Sequence, residues 1–299
     1  MAPPAGSVAD TVEAHRLRSR HEFLALVNDP VFAPRWSLER HLAELHQYET
    51  CFVVAGVCAV CRRAVDFAVD FDGAWEADDG LRIPNWRESM RCPRCGLAAR
   101  QRRVSELVVA AVDDRRGRDP VAVYLMEALS PLYRSLSRRL LGATVVGSEY
   151  LADDAPGGTR PRSVRHEDAE RLSFADASLD VLVSCDVFEH VNDPRRAFAE
   201  VARVLRTSGR AVLTFPVDLD VEHHRRRAER IDGEVRHLLP PIHHGNPLSS
   251  EGALVYTDFG WDVLGDLRDA GLVDPVLELY WGYDRGYLGL QFCVLAGKA

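Results

Sequence analysis

Apolar positions change their period twice along the chain. In HEFLALV (21–27) and WSLERHLAELHQY (36–48) they recur every three or four residues, the spacing of helices that bury one face. From 47 to 105 the runs shorten: CFVVAGV (51–57) and AVDFAVDF (64–71) read as β-strands set among cysteine pairs. A helical pattern returns over 103–116 and leads to Asp119-Pro120, where proline disfavours helical backbone before it and marks a boundary. The Pro/Ala/Gly-rich tip at the start is expected to be mobile.

Beyond residue 120 strands and helices alternate. VAVYLM (121–126), ATVVGSEYL (143–151), RSVRHED (162–168), LDVLVSC (179–185) and GRAVLTFP (209–216) read as five strands. SPLYRSLSRRLL (130–141) and DPRRAFAEVARVL (193–205) read as helices between them. Such alternation predicts an α/β fold, a mostly parallel sheet covered by helices on both faces. Residues 217–257 interrupt it; the helix DFGWDVLGDLRDAG (258–271) restores it, and PVLELYWGY (275–283) and LGLQFCVLAG (288–297) close it as two strands. Tyr256, Trp261, Tyr280, Trp281, Tyr283 and Tyr287 make this last third aromatic, as pocket lining or, by default, as core.

Composition narrows the class. With 46% hydrophobic and 27% charged residues, the 299-residue chain has the balance of a soluble globular protein. No apolar run is long enough to span a bilayer. The start has no basic segment followed by an apolar core, so a cytoplasmic protein is expected. The net charge of −8 weighs against a nucleic-acid partner.

Four of the seven cysteines form two pairs, Cys58-Ala-Val-Cys61 and Cys92-Pro-Arg-Cys95. Each pair can fold into a tight knuckle, and two knuckles supply the four thiolates of a tetrahedral site suited to Zn2+. Gly96 after the second pair permits the backbone turn a knuckle needs. Thiolates at all four positions make the metal structural, with no open site for catalysis. A redox dithiol would sit at a helix start in a thioredoxin-like setting, which is missing here. Cys51 is a possible stand-in ligand. Arginines 91, 94, 100, 102 and 103 form either a solvated basic face or an RNA-binding ribbon.

NWRESMRCPRCGLAARQR (85–102) resembles a zinc module found ahead of some bacterial methyltransferase domains. A longer stretch, RHEDAERLSFADASLDVLVSCDVFEHVNDPRRAFAEVARVLRTSGRAVLTFP (165–216), closely resembles the class I S-adenosylmethionine-dependent methyltransferases of the small-molecule type. The family's pattern stands here as Asp168, Leu172-Ser173-Phe174, Asp176, Leu179-Asp180, Glu189-His190-Val191, Asp193 and Arg203-Val204-Leu205. Ser208-Gly209 replaces the family's two glycines. The resemblance implies a Rossmann-like seven-stranded methyltransferase sheet, preceded by a small zinc-ribbon-like module and N-terminal helices. The implied domains are 1–46, helical; 47–105, the four-cysteine module; and 106–299, the methyltransferase domain with a substrate-covering insertion at 217–257.

In an open parallel sheet the ligand binds beyond the carboxyl ends of the strands, at the switch point. S-adenosylmethionine is the cofactor implied. Glu149, with Tyr150 beside it, follows the second strand, where a carboxylate can accept from both ribose hydroxyls. Asp168 and Ala169 follow the third, with Asp168 placed for the adenine amine; Asp186, Val187 and Phe188 follow the fourth, near the reacting centre. Glu149 could instead cap a turn, Glu189-His190 could brace the sheet edge, and Phe188 could be core. The first turn departs from the family. Its Gly-x-Gly is replaced by Glu127-Ala128-Leu129-Ser130-Pro131, in which Glu127 keeps an acid for the ligand's ammonium. Ser130 is a good N-cap and Pro131 a good first helical residue, so a capped helix introduces the turn. Its free N–H groups can meet a carboxylate, with Ala128 and Ser130 as contacts in a narrower approach.

The insertion carries His223, His224, His237, His243 and His244. LPPIHHGNP and VYTDFGWD within it resemble segments of the same zinc-module methyltransferases. His243 or His244 is the expected general base, with Asp186 near the reacting atoms. A catalytic metal on these histidines lacks the usual H-E-x-x-H spacing. The implied activity is O- or N-methyl transfer to a small molecule, a natural-product intermediate or a sugar or cell-surface precursor. No membrane partner is expected, and the chain is expected to be a monomer or homodimer. Two alternatives stand: a protein of this fold that uses S-adenosylmethionine without methylating, or an RNA methyltransferase.

Overall fold

The structure, a computed structural model, describes residues 12–115, 117, 120–151, 155–246 and 248–299. The tip at 1–11 and Asp119 of the expected boundary lie outside them. The chain divides into two compact units. The smaller takes the residues up to Arg16, Pro30–Arg102 and Leu279–Phe292; the larger takes Leu17–Asp29, Arg103–Glu278 and Cys293–Ala299.

The first part of the chain runs β1 (Glu13–Leu17), α1 (Arg20–Val27), α2 (Ala33–His46), β2 (Cys51–Cys58), β3 (Arg63–Asp70), β4 (Trp75–Glu76), β5 (Arg82–Ile83) and α3 (Ala99–Asp113). Both N-terminal helices form where the periodicity places them. Ser19 caps α1 by accepting from Glu22 N at 3.3 Å. Residues 13–17, expected within a helical segment, are instead the edge strand of the main sheet. Only Leu17 of that strand is buried, so no alternation announces it. β2 and β3 form the hairpin that the alternating runs predict, from Cys51↔Asp70 to Cys58↔Arg63.

The larger unit continues with β6 (Ala122–Leu125), α4 (Pro131–Arg139), β7 (Thr144–Gly147), β8 (Leu179–Cys185), α5 (Pro194–Val204) and β9 (Leu205–Thr214). Three antiparallel pairs follow in the insertion, built from β10 (Arg225–Arg226), β11 (Ala228–Ile231), β12 (Glu234–His237), β13 (His243–Asn246), β14 (Ser249–Leu254) and β15 (Thr257–Asp258). The chain ends with α6 (Val263–Asp269), β16 (Val273–Gly282) and β17 (Tyr287–Gly297).

Seven strands form one mixed, mostly parallel sheet in the order β1-β16-β17-β9-β8-β6-β7. β8 is buried along almost its whole length, as a strand with parallel neighbours on both sides must be. α5 buries Ala197, Phe198, Val201, Ala202 and Val204 on one face; Asp193 caps it and Pro194 opens it. RSVRHED, expected as a strand, yields one parallel bridge, Glu149↔His166, after a short 3-10 turn. Its charged side chains bond sideways, Arg165 to Glu167 at 2.6 Å, leaving no apolar row to extend a ladder.

Candidate functional site

Strand order fixes where a ligand site can lie. β6 pairs in parallel with β7 on one side and β8 on the other, so the chain leaves β6 in one direction and returns past it in the other. The crevice at the carboxyl ends of β6 and β8 is the switch point. The turn after β6 is built as its sequence suggests. Ser130 Oγ accepts from Tyr133 N at 3.0 Å, and Pro131 opens α4. Gly147 at the end of β7 is required by close approach. A Cβ there would lie 2.6 Å from the Glu127 carbonyl oxygen and from the Tyr133 ring.

Glu149 takes a part in this turn that its position alone did not give. Its Oε1 accepts from Ala128 N at 2.8 Å and from Leu129 N at 2.9 Å. The carboxylate after β7 thus satisfies the backbone donors after β6, doing by side chain what a glycine turn leaves open. Tyr150 beside it is exposed and faces the His166 ring at 5.4 Å. A cavity of about 230 Å3 lies against Ala128, Leu129, Tyr133, Gly147 and Arg165. Ligand pockets typically measure about 300–1,000 Å3, so this cavity is smaller than a whole ligand pocket.

Asp168 Oδ1 accepts from Glu170 N at 2.9 Å, and Ala169 beside it is buried. The neighbouring Glu167 locks the segment by accepting from Arg165 Nε, Ser173 N and Ser173 Oγ at 2.6–2.8 Å. Asp186 stands at the end of β8 in left-handed backbone, φ +54, pinned by its N–H to Thr214 O at 2.7 Å. A non-glycine residue held there is under strain, which gathers at functional turns. Val187 follows, half-buried. Phe188 is fully buried, 4.8 Å from the Phe198 ring and 5.9 Å from Phe215, the surroundings of a core residue.

The histidines of the insertion separate into different surroundings. His237 and His243 are exposed. His224 is held between Asp262 at 2.6 Å and Asp266 at 2.9 Å, a structural clamp onto α6. His244 lies 3.5 Å from Glu189 and 5.1 Å, ring to ring, from His190. The structure therefore brings His244, and not His243, to the residues that follow Asp186. Sequence reasoning named both halves of this cluster, but their meeting depends on how the insertion folds back.

In the smaller unit the four paired cysteines converge. Cys58 and Cys95 Sγ are 3.9 Å apart, Cys61 and Cys92 Sγ 3.8 Å, and all four lie within 4.8 Å of one another. Zinc–sulfur bonds of about 2.3 Å at tetrahedral angles separate two sulfurs by about 3.8 Å, so the cluster fits the ion. Both knuckles turn as expected. Cys61 N donates to Cys58 Sγ and Arg94 N to Cys92 Sγ, each at 3.4 Å, and Gly96 is left-handed at φ +72. A hydrogen bond from Cys95 holds the Cys58 thiol down to about 5, whereas burial and the Cys58 charge push Cys61 up to about 11. Cys51, at the far end of the β2–β3 hairpin, is exposed and outside the cluster. The arginines do not form a common basic face. Arg100 pairs with Glu88 at 2.8 Å and Arg103 with Glu278 at 2.6 Å. Arg102 is fully buried, donating to Gly286 O at 2.7 Å and stacking 4.1 Å over Phe67.

Parts of the chain are similar to known methyltransferases. Residues 133–213 match a family model described as a methyltransferase domain. A 46-residue stretch is 52% identical to an uncharacterised methyltransferase from Mycobacterium sp. (strain JLS), covering 15% of this chain and 18% of that protein. Over 179 residues the chain is 29% identical to a 37.1 kDa transposon protein of Streptomyces fradiae, covering 55% of this chain and 49% of that one. It thus spans half or less of the curated relatives it matches. Among solved structures, a Burkholderia thailandensis 1,6-didemethyltoxoflavin-N1-methyltransferase with bound S-adenosylhomocysteine is 13% identical, covers 98% of both chains and has a TM-score of 0.39.

Proposed function

We propose that this chain is an S-adenosylmethionine-dependent methyltransferase acting on a small-molecule acceptor by O- or N-methyl transfer. The observation that carries the reading is a row of acids beyond successive positions of the parallel sheet: Glu127 after β6, Glu149 after β7, Asp168 after the His166 bridge and Asp186 after β8. When bound, S-adenosylmethionine supplies a methyl group on a positively charged sulfur, open to in-line displacement by an oxygen or nitrogen. Glu127 accepts from the ligand's ammonium, Glu149 from the ribose hydroxyls through its Oε2, and Asp168 from the adenine amine. Asp186, held rigid by Thr214, orients the reacting end. His244 takes the acceptor's proton, with the Glu189 carboxylate behind it. The four-cysteine cluster holds a structural Zn2+, which a reducing cytoplasmic setting would preserve.

Calorimetry with S-adenosylhomocysteine tests the reading: one site per chain is expected. No heat with either S-adenosylhomocysteine or S-adenosylmethionine would sink it. A second reading, binding without methyl transfer, draws on Glu149, which already occupies the N–H groups of Ala128 and Leu129. It gains if binding is intact while no small-molecule acceptor is methylated. The RNA reading loses its grip in Arg100, Arg102 and Arg103, all engaged internally.

A further inference from the structure

Glu189 is 1% exposed, and neither of its carboxylate oxygens accepts a hydrogen bond from any described residue. A carboxylate taken out of water without donors is costly unless a cation compensates it. Two imidazoles face it. His190 Nε2 lies 3.6 Å and His244 Nδ1 3.5 Å from the same oxygen, Oε1. Those distances are too long for hydrogen bonds. They are close to the spacing a shared ion sets: nitrogen and oxygen ligands at about 2.1 Å and tetrahedral angles stand about 3.4 Å apart. The three ligand atoms all lie within 4.8 Å of one another.

The His190 ring shows which of its nitrogens is available. Nδ1 is 2.8 Å from the Leu254 carbonyl oxygen. A carbonyl only accepts, so Nδ1 carries a proton, and in the neutral ring Nε2 turns its lone pair toward Glu189. A lone pair facing a carboxylate is repelled unless a positive charge lies between them. Anchoring the far N–H to a backbone carbonyl is also how metal-binding imidazoles are usually oriented. The two rings meet edge to face, at 87°, so they do not stack past one another.

We propose that Glu189, His190 and His244 form a second metal site, separate from the four-cysteine cluster, for a divalent first-row transition ion such as Zn2+. Two imidazoles and one carboxylate select such an ion over Mg2+ or Ca2+, which prefer all-oxygen cages. Three protein ligands leave a position open, as in catalytic rather than structural zinc sites. The His244 side chain is 39% exposed, which gives that position a route to solvent. Resting on the methyltransferase reading, the site would receive the acceptor: a hydroxyl at the open position gives up its proton to water at lower pH than it would in solution. His244 would then act as a ligand, not as a free base.

The test uses the full-length protein, stripped with a chelator and titrated with Zn2+ under metal analysis. Wild type is expected to bind two equivalents and the Glu189→Gln/His244→Ala double variant one. Titration with Co2+ identifies them. The four-cysteine site gives intense thiolate charge-transfer absorption; the second site adds weaker visible bands that vanish in the double variant. Thiolate bands kept by the variant show that it folds. Wild type binding a single equivalent, with thiolate bands alone, would overturn the proposal, as would a variant that binds as many ions as wild type. S-adenosylhomocysteine binding with one metal equivalent removes only this site, and two equivalents without that binding remove only the methyltransferase reading.

Discussion

Asp186 holds a conformation that an L-residue adopts at a cost of about 1–2 kcal/mol. Its short side chain eases that cost through its own contacts, and Thr214 Oγ1 donates to Oδ1 at 3.2 Å. Asp186→Ala is therefore expected to be less stable than Asp186→Gly by about 1 kcal/mol in urea unfolding; equal midpoints would mean that φ +54 is not imposed there. Both variants are expected to lose methyl transfer. Ser208 shows the same geometry from the other direction. The resemblance puts a glycine there, and the backbone is left-handed at φ +63, the region that favours glycine. Glu149 is the residue whose sequence reading needed the structure most. Its position after β7 was legible, but its bonds to Ala128 and Leu129 depend on two strand ends lying side by side. Glu149→Gln is expected to weaken S-adenosylhomocysteine binding at least tenfold, about 1.4 kcal/mol, because a neutral amide accepts less strongly from hydroxyls and from the turn. Unchanged affinity would remove Glu149 from the ligand site.

Elements followed the periodicity wherever one face is apolar and the ends are capped. α5, with Asp193 and Pro194 at its start, and β8, apolar throughout, are local consequences of their sequences. β1 and the segment 162–168 depart from the local pattern, because an edge strand draws its stability from a partner that the local sequence does not contain. α2 carries a further consequence of packing. Glu39 is buried, its Oε1 accepting from Trp281 Nε1 at 2.8 Å and from Gly289 N at 2.7 Å. Burial raises its pKa above the usual carboxylate range despite those donors. A carboxyl that holds its proton more tightly when folded favours the folded state at low pH, and this contribution declines as pH rises through the raised value. Glu39→Gln is expected to flatten that decline in stability measured from pH 4 upward. An unaltered pH profile would mean that Glu39 is not buried in solution.

On the scale of the whole molecule, the four-cysteine cluster belongs to the smaller unit, whose residues come from separate stretches of the chain. Loss of the four-cysteine metal should therefore loosen that unit. Cys92→Ser is expected to hold one equivalent of zinc fewer than wild type and to melt at a lower temperature; an unchanged melting temperature would contradict a structural metal. Among the described residues no helix is long and apolar enough to cross a membrane.

By itself the sequence determined the cysteine knuckles, the capped helices, the buried parallel strands and the acids that follow them. All of these rest on neighbours within a few residues, where spacing and caps act directly. Only the tertiary structure decided that Glu149 closes the first turn, that Phe188 is buried among aromatic rings, that Arg100, Arg102 and Arg103 are engaged internally, and that His244 meets Glu189 and His190. Each of those is a contact between segments far apart in the chain. Strand order and the fold of the insertion set such contacts, and no local pattern encodes either.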